Sequence, residues 1–105
     1  MNTTANKPSI HKSAEAILIV LDLVLRHKVH GLTASEIVKA TGFSAPNVSR
    51  YIATLEATGW AERIPETNRI RASIRVAQRA VGILHDFDRA IERINETKYR
   101  MTTDL

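Results

Sequence analysis

The stretch "TASEIVKATGFSAPNVSRYIATLEATGW", Thr33 to Trp60, leaves the chain few ways to fold. Thr33, with Glu36 three residues later, has the form of a capping box: the hydroxyl serves as N-cap and the carboxylate reaches back. A helix is predicted over Ala34 to Ala40, offering Ile37 and Val38 to a core. Gly42 then suits a left-handed helix stop. Ser44 caps a second helix, Pro46 is tolerated in its first turn, and the helix runs over 45–58 until Gly59 ends it. Val48, Ile52 and Leu55 share one face of that helix by their spacing. Its opposite side holds Pro46, Arg50 and Ala53, flanked by Asn47 and Thr54.

The flanking segments extend this frame. After Gly59, the β-type runs "WAERI" and "RIRAS" are separated by "PETN", which reads as a hairpin turn over 60–73. Before Thr33, a helix is predicted from Lys12 to Arg26 with Ser13 as candidate N-cap, followed by the loop "HKVHG" ending at Gly31. The run "AILIVLDLVL" makes that helix apolar around almost its whole circumference, a pattern that calls for cover on every side. A span of the membrane needs about 20 apolar residues, and this run has half that and contains Asp22. Residues 1–11 show no periodic signal and read as a flexible arm without an apolar signal-peptide core.

From Ile74 the pattern is helical again. Ala77, Ala80, Leu84, Phe87, Ile91 and Ile94 recur at alternating spacings of three and four, an a/d heptad pattern. Residues 74–98 therefore read as a helix that pairs two copies, although a stripe of this length also suits a helix packed on its own domain. Gly82 falls at an outward position of it. Residues 99–105 keep only Met101 of the pattern and read as a frayed tail. The fold class is mainly α: three helices and a two-stranded wing over 12–73, with an additional long C-terminal helix.

The 105 residues suit one small domain with an appended element, and a deep enzyme cleft is not expected. With 15 Lys and Arg against 11 Asp and Glu the net charge is +4, which favours polyanionic partners. Between Ile37 and Leu55 no acid occurs, whereas Lys39 and Arg50 do. The absence of cysteine excludes disulfides and thiol chemistry and agrees with a cytoplasmic protein. "HDFD", His85 to Asp88, has no second ligand cluster and reads as solvated helix surface rather than a metal pair. His11, His27 and His30 have no partners that would make a catalytic group, so neither enzyme chemistry nor a cofactor is expected.

A capped helix, a Gly turn, a second helix and a hairpin in this order form a winged helix-turn-helix, whose second motif helix reads the major groove. Arg pairs bidentately with guanine and Asn with adenine, which makes Arg50 and Asn47 the candidate base readers, with Ala45, Ser49 and Thr54 beside them. Backbone N–H groups near Thr33 to Glu36, including Ser35, and near Ser44 to Asn47 suit phosphate oxygens. Asn68, Arg69 and Arg71 of the wing suit the DNA backbone or the minor groove, with Arg63 adding to them. Any one of these polar residues alone is ordinary helix surface. Together with the turn, the wing and the acid-free window they favour double-stranded DNA.

The segments "SAEAILIVLDLV", "GLTASEIVKATGF", "SAPNVSRYIATLEATGWAER" and "ETNRIRAS" resemble the winged helix-turn-helix domain of the IclR family of bacterial transcription regulators, over about residues 12–75. The resemblance implies that Ser44, Asn47, Ser49 and Arg50 lie where that family's reader helix faces DNA. MarR-type regulators share the motif loosely. The family usually carries a large effector-binding domain after the wing, and only about 30 residues follow it here, so no small-molecule effector is expected. The expected function is that of a small dimeric transcription regulator, bacterial or phage. A winged-helix module that binds a protein is the alternative.

Overall fold

The computed structural model describes residues 8–27 and 29–103, and divides at Ser73 into two units. The expected arm falls largely outside the described residues. In the first unit the order is α1 (Lys12–Arg26), α2 (Ala34–Thr41), α3 (Ala45–Ala57), β1 (Ala61–Arg63) and β2 (Ile70–Ala72); the second unit is the single helix α4 (Ile74–Thr103).

Local chemistry explains the helix ends. At α2 both halves of the capping box form: the Glu36 N–H donates to Thr33 Oγ1 at 3.1 Å and the Thr33 N–H to Glu36 Oε1 at 2.9 Å. At α3, Ser44 Oγ accepts from the Asn47 N–H at 3.3 Å, and Pro46 occupies the first turn, where its missing N–H costs nothing. The far end of α3 is a Schellman motif on Gly59, whose φ is 84°. The N–H groups of Gly59 and Trp60 donate back to the carbonyls of Glu56 and Leu55. At α1 the expectation fails. The N-cap is His11, which makes no side-chain capping bond, and Ser13 lies inside the first turn.

The core forms where α1, α2, α3 and the hairpin converge, on Val20, Val24, Leu32, Ile37, Val48, Ile52, Leu55, Ala61 and Ile70. From α1 the stripe Ala16, Val20 and Val24 is buried at a spacing of four, while Leu18 and Ile19 remain 64% and 44% exposed. The expected cover on every side is therefore absent from this unit, because two short helices and a hairpin can pack against only one stripe of a third helix. The three inward residues of α3 fix its roll. Burying each contributes about 1.5 to 3 kcal/mol, and turning the helix would expose them together.

The hairpin pairs Ala61 with Ala72, Glu62 with Arg71 and Arg63 with Ile70 in antiparallel register. Leu32, which the sequence places only beside a loop, forms a bridge on the other edge of Ile70: N–H groups donate both ways at 2.8 and 2.7 Å. Gly31 makes that approach feasible. Its φ is 73°, and a Cβ there would lie 2.5 Å from the Ile70 carbonyl oxygen. The base of the hairpin is closed by Ser73, whose hydroxyl donates to the Gly59 carbonyl at 2.6 Å and whose N–H donates to that of Trp60 at 3.0 Å.

α4, taken by itself, is an amphipathic helix of 30 residues with none buried. It continues through residues 99–103, which the sequence assigns to a frayed tail. Loss of the apolar stripe there is not loss of helix: Glu96 and Arg100 are an i,i+4 pair, and the hydroxyls of Thr102 and Thr103 bond back to the preceding turn.

Candidate nucleic-acid interface

Because Val48, Ile52 and Leu55 point inward, α3 presents Ala45, Pro46, Asn47, Ser49, Arg50, Ala53 and Thr54 to solvent. Among the described residues no hydrogen bond or ion pair engages the side chains of Arg50 or Asn47. Arg50 therefore offers five donors and a full charge, and Asn47 a donor and acceptor pair. Thr54 differs: its hydroxyl donates to the Arg50 carbonyl at 2.9 Å, leaving only its acceptor capacity and its methyl group for a partner.

The helix starts are less open than the sequence suggests. The Thr33, Glu36 and Asn47 N–H groups are taken by caps, and Pro46 has none. What remains for a phosphate oxygen is Ala34 and Ser35 at α2 and Ala45 at α3. The expected anion sites near Thr33 to Glu36 and Ser44 to Asn47 shrink accordingly.

In the wing, Ile70 is buried and its neighbours Arg69 and Arg71 lie on the opposite face of the strand, as period-two geometry requires. Both are engaged. Arg69 donates to Glu36 Oε1 at 3.0 Å and to the Gly31 carbonyl at 3.3 Å, and Arg71 donates to Glu62 at 2.8 Å. Arg63 reaches Glu56 and both oxygens of Asn68. Asn68 has a φ of 63°, a conformation that Asn tolerates better than other side-chain-bearing residues, so the turn itself accounts for it. The expected wing residues thus all lie on the hairpin, but with the charges of Arg63, Arg69 and Arg71 partly compensated by Glu56, Glu36 and Glu62.

The residue sequence reasoning missed is Glu36. Expected only as half of a cap, it also joins α2 to the wing through Arg69, from 33 positions away. Its carboxyl is held below its ordinary value, first by the Thr33 backbone N–H and then, against the opposing effect of desolvation, by the nearby Arg69 guanidinium. No local pattern signals such a contact. Among the described residues there is no cluster of three or more His, Cys, Asp or Glu that would hold a metal ion, and no helix long and apolar enough to cross a membrane.

A capped helix, a tight turn, a helix with an open polar face and a wing pinned to the first loop define a winged helix-turn-helix domain. The sequence model of the MarR family matches residues 18–69, just under half of the chain. Among solved structures, the crystal structure of Pseudomonas aeruginosa HmgR matches with a TM-score of 0.62 and 23% identity over 71% of this chain. The chain spans 30% of that protein's length, and at this identity the likeness is one of fold. No curated protein matches. The family match supports a DNA-binding transcription regulator, on a fold that is not an enzymatic one. It names MarR rather than IclR, and nothing in the comparisons supports the narrower resemblance. Caps, Gly stop and wing are demanded by the fold, so segments built on them do not separate one winged-helix family from another.

Proposed function

We propose that the chain is a small homodimeric transcription regulator that binds double-stranded DNA sequence-specifically in the cytoplasm. α3 enters the major groove with Asn47 and Arg50 at base edges, and the wing lies along the backbone or in the minor groove. The observation that carries this is Arg50 and Asn47, whose side chains are unpaired among the described residues, on a face held outward by three buried residues, inside a stretch without acids. Thr54 contributes as an acceptor or by its methyl group, and the Ala34 and Ser35 N–H groups take a phosphate. Arg69 and Arg71 keep donors beyond those in their ion pairs and act on the backbone. The finer likeness to the IclR family rests on the quoted segments alone, and the proposal includes no small-molecule effector.

Anisotropy titration of mixed duplex DNA at two salt concentrations tests the reading. Phosphate-driven binding weakens log-linearly with salt. Absence of binding at low salt ends the DNA proposal and leaves the open face of α3 to a protein partner.

A further inference from the structure

The apolar row of α4 is exposed in this chain: Leu84, Phe87, Ile91 and Ile94 are 54 to 64% accessible. We infer that two copies pair through α4 in antiparallel orientation, with Leu84 against Phe87 of the second copy, Ala80 against Ile91 and Ala77 against Ile94. The inference rests on the dimer proposed above and adds its direction and register.

Three features of the helix select that direction. The first is size. The seam begins with Ala77 and Ala80 and ends with Phe87, Ile91 and Ile94. In a parallel pair, alanines would face alanines at one end and the bulky residues would face each other at the other, so the helices would splay. Antiparallel pairing sets a small side chain against a large one in every outer layer, which keeps the separation even.

The second is charge. Residues 74–85 carry Arg75 and Arg79 and no acid, whereas 86–97 carry Asp86, Asp88, Glu92 and Glu96 against Arg89 and Arg93. In this register those two halves lie alongside one another, +2 against −2. A parallel pair would align each half with its own like. The benefit is modest for exposed charges, since salt screens beyond about 8 to 10 Å, but its sign is clear. The third is Lys98, which continues the seam at an a position. Parallel helices would bring it against its own copy, whereas antiparallel ones place it beyond the start of the second helix.

A geometric consequence follows. Ile74 lies level with Thr97 of the second copy, 23 residues along the helix, so the two starts of α4 are about 35 Å apart at 1.5 Å per residue. That is close to the separation of successive major-groove faces on one side of B-DNA, about 34 to 36 Å.

The test uses the full chain, which has no cysteine of its own. Ala77→Cys and Ile94→Cys variants are treated with a short bismaleimide, singly and as an equimolar mixture re-equilibrated at low concentration. The pair Ala80→Cys and Ile91→Cys is run alongside in case one substitution disturbs folding. The expected result is a covalent dimer of mixed composition by mass spectrometry, several-fold more abundant in each mixture than in either variant alone. Efficient cross-linking of single variants overturns the antiparallel direction. A wild type that sediments as a dimer while neither mixture cross-links overturns the register. A wild type that sediments as a monomer removes the dimer reading itself.

Discussion

Gly31 carries more of this fold than its place in a loop suggests. A side chain there would meet strain at φ 73° and a carbonyl oxygen at 2.5 Å, and relief would require opening the Leu32 and Ile70 bridge. Gly31→Ala is expected to lose about 1 to 3 kcal/mol or more, read as a lower urea midpoint with an unchanged slope. At Glu36 the folded carboxyl titrates below its ordinary value of 4.5, so it stabilises the fold above that value. The contribution is lost as pH falls through the lower folded value. The stability difference between wild type and Glu36→Gln should therefore be largest at neutral pH and shrink on acidification below pH about 4.5. On the DNA side, Arg50→Ala should cost about 1 to 3 kcal/mol on a preferred site and flatten sequence preference, because a guanidinium at a base edge discriminates. Arg69→Ala should weaken all sequences alike and also destabilise the chain, since it unties Glu36 and the Gly31 carbonyl. An unchanged binding profile for Arg50→Ala removes it as a reader.

At the scale of elements, what was legible is what is local. The boxes and stops of α2 and α3 lie within five residues of the groups they satisfy, and Val48, Ile52 and Leu55 announce their shared face by spacing. At the start of α1, Ser13 has the right chemistry two residues too late, and His11 holds the position by backbone conformation alone. The third strand partner of the wing was illegible for another reason: it is the single residue Leu32, too short for any period to show. The candidate site divides the same way. The open face of α3 follows from the roll of one helix, whereas the compensation of Arg69, Arg71 and Arg63 depends on acids brought close only by folding. In α4, an added Cβ at Gly82 would meet nothing within 4 Å among the described residues beyond the helix's own backbone. Gly82→Ala should therefore gain about 0.8 to 1 kcal/mol of helix stability, visible as a higher melting temperature by circular dichroism.

For the whole molecule, the proposed pairing through the exposed row of α4 would tie folding to assembly. Leu84→Asp or Ile91→Asp should give monomers by sedimentation, with DNA binding weakened because one reading head replaces two. The wild type's melting temperature should rise with its own concentration, since anything that binds only the folded state stabilises it by mass action. Pairing through that apolar stripe would have one more effect, on dose. Where the chain is mostly monomeric, dimers increase as the square of its concentration, and so does occupancy of a two-fold site. A twofold change in the amount of protein would then move occupancy nearly fourfold, giving a sharper threshold than any single reading head provides.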